Sequence, residues 1–240
     1  MPYRRLPNTD QSRIRAITAA LDQYRLENVP GQVINLKTKN EAEAFLPNFE
    51  STHHEYLLSL EKQKTASKKY YSQFRMARLY LSHFIQVLNF GVIRNEIKPE
   101  AKKLYGLNPT NHTVPDLSTE AAILTVGEKV ISGERQRIAA GGAPIYNPAI
   151  AKVSVHFEIF RDTCVAQKII QKSTNRYLEQ LASMRPECDA LILGIWNQVE
   201  DYFKNEPEDK RRELCELYGV RYYLRKEEKE AEQQSTETND

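Results

Sequence analysis

The stretch Pro47–Ile97, PNFESTHHEYLLSLEKQKTASKKYYSQFRMARLYLSHFIQVLNFGVIRNEI, decides the fold. Its seam positions step alternately by four and three residues: Phe49, His53, Tyr56, Leu60, Gln63, Ser67, Tyr70, Phe74, Ala77, Leu81, Phe84 and Leu88. That 3.5-residue period keeps one stripe of a helix facing a partner helix. After Pro47 no Gly or Pro interrupts the pattern until Gly91. A helix of this length spans roughly 75 Å, at about 1.5 Å per residue. The centre of the seam, Gln63 and Ser67, is polar, with Lys62, Lys64, Lys68 and Lys69 around it.

A second seam starts after Asn147-Pro148, read as a cap followed by Pro at the first helical position. It runs Ile150, Val153, Phe157, Phe160, Cys164, Gln167, Gln171, Thr174, Leu178, Leu181, then in phase through Cys188, Ile192, Ile195, Val199 and Tyr202. Pro186 is expected to kink or break this helix, because a mid-helix Pro loses a hydrogen bond and clashes with the preceding turn. Arg185, at a seam position, points to an opening there. If the two polar centres meet, Gln63, Ser67, Gln167, Gln171 and Thr174 form a polar belt whose buried members must find partners.

Shorter elements flank the long helices. Pro7 presets an extended entry, and Asn8, Thr9 or Asp10 caps a helix carrying Ile14, Ile17, Leu21 and Tyr24, stopped by Pro30-Gly31. Residues 32–39 read as a linker. Asn40 with Glu43 reads as a capping box that opens a short helical turn ending before Pro47. After Val114-Pro115-Asp116, Ser118 or Thr119 caps a helix with Ile123, Val126, Val130, Ile131 and Ile138, closed by Gly141-Gly142. Val220, Tyr222 and Leu224 alternate as a short strand, which pairs with Tyr3–Leu6 or with another strand of its kind. From Lys226 onward the chain is charged and lacks aromatics, so residues 226–240 are expected to be disordered.

The order of features repeats. Leu6-Pro7-Asn8 matches Val114-Pro115-Asp116, and Pro47 matches Pro148. Further on, Arg94-Asn95-Glu96 matches Lys204-Asn205-Glu206, Pro99-Glu100 matches Pro207-Glu208, and Leu104-Tyr105-Gly106 matches Leu217-Tyr218-Gly219. The expected architecture is all-α: an elongated helical bundle from two tandemly duplicated hairpins, 1–113 and 114–225, packed as one domain about a pseudo-twofold axis, with one tiny β element.

The entry Pro2-Tyr3-Arg4-Arg5-Leu6-Pro7-Asn8-Thr9-Asp10, the block Leu81-Ser82-His83-Phe84-Ile85-Gln86-Val87-Leu88-Asn89, and Ile195-Trp196-Asn197 with Tyr218-Gly219-Val220 resemble a family of uncharacterised bacterial all-helical proteins of similar length. The resemblance spans most of the chain. It implies no activity and transfers no catalytic residue.

Composition bounds the function. Lys and Arg number 34 against 32 Asp and Glu, so a formal charge of +2 gives no whole-chain pull toward nucleic acid or an anionic membrane. Nine glycines in 240 residues argue against a turn-rich β protein or a Gly-rich phosphate loop. Cys164, Cys188 and Cys215 are far apart and form no CxxC pair, so a reducing, cytoplasmic compartment is expected. The opening residues carry charge without an apolar core, so no secretory signal is expected, and no apolar run is long enough for a membrane helix.

The chemistry-bearing residues fall short of complete sets. Glu50 and His53 stand at i, i+3, the pairing that di-iron bundles use. His54 and Glu55 adjoin them, while His156-Phe157-Glu158 has the wrong spacing for one helix face. No metal or other cofactor is therefore expected, with Glu50, His53, His54 and His156 as the candidates for a metal-binding alternative. Lys62, Lys64, Lys68, Lys69, Arg75 and Arg78 interleave with Tyr70, Tyr71 and Phe74, a mixture nucleic-acid proteins use. The aromatics fall on the seam, so the reading prefers a core with a solvated cationic face. Lys98, Lys102, Lys103, Arg211 and Arg212 add charge elsewhere. His83 lacks a neighbouring nucleophile, Arg135-Gln136-Arg137 is explained by the helix dipole, and Trp196 belongs to a core or an interface. The expected function is a non-enzymatic helical module that binds another protein or itself. The alternatives are a metal or ligand site at Glu50/His53, and nucleic-acid binding through Lys62–Arg78.

Overall fold

Thr9 and Thr119 open the two shorter helices in the same way. Each lies in extended backbone, and each hydroxyl accepts from the amide three residues on, Ser12 N and Ala122 N. That satisfies a donor that would otherwise have no partner at a helix start. The computed structural model describes residues 3–27 and 32–223. In order these residues form β1 (Tyr3–Arg4), α1 (Asp10–Leu26), α2 (Leu36–Ile93), a 3₁₀ helix (Pro99–Tyr105), α3 (Glu120–Ala139), α4 (Ile150–Tyr202), α5 (Glu208–Leu217) and β2 (Tyr222–Tyr223). The fold is all-α with one small sheet, in which β1 and β2 pair antiparallel. The Pro30-Gly31 stop, Leu224 and the segment 226–240 lie outside the described residues.

The long helices differ from expectation at their prolines. Pro47 lies inside α2, which is continuous from Leu36, so Asn40 and Glu43 are interior residues and no separate turn precedes Pro47. The cap comes from Asn35, whose side-chain oxygen accepts from Thr38 N at 2.8 Å. Pro186 likewise lies inside an unbroken α4. Both prolines are exposed, on the side of the helix where a carbonyl deprived of its donor can hydrate. Pro148 is not the first helical residue. It follows a cis Asn147–Pro148 bond, and the helix starts at Ile150. The helix α5 is an element that the seams did not indicate.

Contacts divide the chain into two compact units, neither of which coincides with 1–113 or 114–225. One is Met1–Leu58 with Asn175–Asp240, and the other is Ser59–Thr174. Each takes one piece from either side of residue 113. In the first unit α1, the start of α2, the end of α4 and α5 enclose Ile17, Phe49, Leu181, Ile192, Trp196 and Val199. In the second, α3, the start of α4, the rest of α2 and the 3₁₀ helix enclose Leu81, Phe84, Leu88, Ile123, Val130 and Phe160. Apart from Trp196, which adjoins seam Ile195, these buried positions lie on the apolar stripes of the sequence, because removing apolar area from water is what fixes which helix face turns inward.

The two units have matching parts. Each contains a Thr-capped helix, the first part of one long helix, the last part of the other, and a short helix that ends in Leu-Tyr-Gly. Tyr105 and Tyr218 are both buried, and each hydroxyl donates to a carboxylate, Glu134 at 2.5 Å and Glu27 at 3.1 Å. The following glycines, Gly106 and Gly219, both have left-handed backbone, with φ of 67° and 83°.

Candidate functional site

The candidate metal ligands are divided between the two units. Glu50, His53 and His54 belong to the first unit and His156 to the second. Glu50 and His54 are exposed and His53 is half-buried. His156 stacks on Tyr80, ring centroids 4.1 Å apart at 7°, and Lys152 Nζ lies 5.1 Å from the centroid of the Tyr80 ring. Among the described residues no group of three or more His, Cys, Asp and Glu side chains is placed to hold a metal.

The polar seam members have mixed fates. Thr174 is buried, and its hydroxyl lies 2.8 Å from that of Ser59, with 3.1 Å to the Ile170 carbonyl. Gln63, Ser67 and Gln167 are half-buried, and Gln171 is exposed. Ser59, one residue off the expected seam, is the partner that Thr174 uses.

In the cationic stretch Lys62, Lys64, Lys68, Lys69, Arg75 and Arg78 are all exposed. The interleaved aromatics separate. Tyr70 and Phe74 pack on Phe160, with centroids 5.7 Å away in each case, whereas Tyr71 remains 63% exposed. Two of the three rings thus pack against the core, as the seam reading expects. His83 is exposed and Trp196 is buried in the first unit's core.

Other charged residues have structural duties. Arg137 is not a free cation at a helix end. Its guanidinium donates to Glu134 at 2.8 and 2.9 Å, to the Tyr105 hydroxyl at 2.8 Å and to the Ala143 carbonyl at 2.7 Å. Glu134 and its hydrogen bond raise the Arg137 pKa, and burial together with Glu134 raises that of Tyr105. Lys102 is also no surface charge. It is buried, donates to the Asn111 carbonyl, and has its pKa lowered by desolvation.

Arg185 does not mark an opening. It grips Asp10 through two 2.8 Å bonds, while Arg13 grips Asp189 at 2.7 and 3.0 Å. The Arg185 hydrogen bond is the main cause of a lowered Asp10 pKa. The three thiols are buried and free. Burial pushes Cys164 and Cys188 up to about 12, which makes them poor nucleophiles.

A surface that the seam analysis passed over is built from the outward side of α2. Leu79, His83, Gln86, Phe90 and Ile93 step four, three, four, three, and all are exposed. Leu79, Phe90 and Ile93 are 58%, 55% and 54% exposed. An outward helix face in contact only with water is ordinarily polar. On α4, Val155, Ile159, Asp162, Ala166 and Ile169 repeat the same step and are also exposed. The signal was present in the sequence as a second stripe beside the first. Burial was needed to show which of the two the fold covers. Among the described residues, no helix is long and apolar enough to cross a membrane.

No protein-family model, no curated protein and no solved structure matches this chain.

Proposed function

We propose that this chain is a non-enzymatic helical interaction module that binds another protein, or a second copy of itself, through the outward stripe of α2. The observation that carries the reading is the row Leu79, His83, Gln86, Phe90, Ile93, which has the spacing of a helix seam but lies exposed. Exposed apolar rows of this kind mark interfaces, and an amphipathic helix reads them as i, i+4, i+7 anchors. The exposed row on α4 supports the same reading. The matched make-up of the two units supports a tandem duplication, which supplies the two long helices.

The test compares the parent protein with Leu79→Ser/Phe90→Ser/Ile93→Ser. The expected result is a self-association seen by sedimentation velocity, or a protein captured from the native cell, that the triple variant loses while its helical circular dichroism is kept. A monomer whose captured proteins are the same with and without the stripe refutes the reading. So does stoichiometric metal in the purified protein, or a large thermal shift with a metabolite abolished by changing Glu50 and His53.

A further inference from the structure

The small sheet is flanked by an arginine on each strand's inner side, Arg5 after β1 and Arg221 before β2. Tyr3 lies opposite Tyr223 and Arg4 opposite Tyr222. Successive side chains of a strand point to opposite faces. Arg4 and Tyr222 share the face that meets Glu200, with 2.8 Å from the Arg4 guanidinium and 2.8 Å from the Tyr222 hydroxyl. The other face carries the Tyr3 and Tyr223 rings, centroids 6.3 Å apart. Arg5 and Arg221 lie just beyond the paired residues.

A third cation joins them. Arg5, Arg15 and Arg221 line one cleft of about 490 Å3 between α1 and the strand pair. Its wall also carries the hydroxyl of Ser12, and its sole carboxylate is Glu216. Among the described residues none of the three arginines forms an ion pair, in contrast to Arg4, Arg13 and Arg185 nearby. Arg15 reaches only the Gln11 carbonyl and the Ser12 hydroxyl, each at a long 3.4 Å. Gly219, at φ 83°, sits so close to α1 that a Cβ there would lie 2.7 Å from the Ala16 carbonyl oxygen.

We propose that this cleft is a binding site for a small phosphorylated molecule. Among the described residues three arginines against one carboxylate leave about two positive charges over, the complement of a phosphate dianion, and the guanidinium fork matches phosphate oxygens two at a time. The volume lies in the range of about 300–1,000 Å3 that small-molecule sites occupy, so the ligand is of metabolite size. The site lies in the first unit and does not depend on the interaction surface of α2.

The test uses the full chain and inorganic pyrophosphate as the probe, at ionic strength held constant with sodium chloride. Pyrophosphate is expected to raise the melting temperature in a concentration-dependent way, since a ligand bound only by the folded state stabilises it by mass action. In Arg5→Gln/Arg221→Gln the calorimetric affinity is expected to fall at least tenfold. Without ligand the same variant is expected to melt no lower than the parent, because both arginines are exposed and neither forms an ion pair among the described residues. Arg25→Gln, which removes a surface cation paired with Asp22 on the same helix, is expected to leave the response unchanged. The proposal is overturned if neither pyrophosphate nor phosphate shifts the parent. An undiminished response in the double variant also overturns it. A lower melting temperature of the unliganded double variant does too, since it would make the arginines structural. So does an equal loss in Arg25→Gln.

Discussion

Removing the Glu134 carboxylate tests whether the second unit is held by a buried ionic network. The side chain is fully buried and accepts four hydrogen bonds: from Tyr105 at 2.5 Å, from two Arg137 nitrogens at 2.8 and 2.9 Å, and from Ile145 N at 3.1 Å. These join the 3₁₀ helix, α3 and the segment that enters α4. Glu134→Ala leaves the Arg137 charge, only 9% exposed, without its counter-ion, and leaves the Tyr105 hydroxyl and Ile145 amide with one partner fewer. Breaking a buried pair on one side costs about 3–5 kcal/mol. Tyr105→Phe removes the bond donated to Glu134 and the one accepted from Arg137, but it leaves the ion pair intact and Arg137 Nε still bonded to Glu134, so about 1.5–3 kcal/mol is expected for the one charged bond lost without replacement.

The assay is the rate at which Cys164, buried in the same unit's core, reacts with a thiol reagent under native conditions. When reclosing is faster than labelling, that rate follows the population of the open form. At about 1.4 kcal/mol per tenfold change, Glu134→Ala should speed Cys164 labelling by roughly two to four orders of magnitude. Tyr105→Phe should speed it by roughly one to two. Acceleration of less than tenfold in Glu134→Ala would refute the reasoning. So would a larger effect from Tyr105→Phe than from Glu134→Ala.

The Arg185 hydrogen bond lowers the Asp10 pKa from its ordinary 3.8, so this pair contributes stability that is present above pH 3.8 and lost as pH falls through the lowered folded value. Asp10→Asn should therefore lose stability at neutral pH and show a flatter acid-unfolding profile below pH 3.8, and an unchanged profile would contradict the pairing. Two helix glycines should respond in opposite directions to Ala. At Gly133 a Cβ would lie 2.6 Å from the Leu104 carbonyl oxygen, so Gly133→Ala should lower the melting temperature, by about 1–3 kcal/mol of stability. At Gly194 a Cβ meets nothing within 4 Å, so Gly194→Ala should stabilise α4 by about 0.5–1 kcal/mol, read by urea denaturation.

Much of the helical architecture was legible in the chain, since a helix seam is a local property. Phe49, Ala77, Leu81, Phe84 and Leu88 on α2, and Val153, Phe160, Leu181, Ile192 and Val199 on α4, turn inward as their spacing requires. The threonine caps and the short strand pair follow from equally local rules. The prolines misled because their effect depends on the solvent beside the carbonyl they strip, and Pro47 and Pro186 both face outward. Whether a Glu-x-x-His pair such as Glu50 and His53 belongs to a metal set depends on further carboxylates from other helices, which no spacing along one helix reveals.

By itself, the order of residues determined that two long helices exist and which face of each is apolar enough to be covered. Only the tertiary structure decided what covers them. It grouped 3–58 with 175–223 rather than with 59–113. It closed Arg185 on Asp10, drew Lys102 into the interior, left Leu79, Phe90 and Ile93 outside, and set Arg5 in one cleft with Arg221. The physical reason is range. A helix's period and caps are set within a few residues, whereas an ion pair or a sheet register joins positions some 200 apart, and the choice among such partners rests on burial and charge summed over the whole fold.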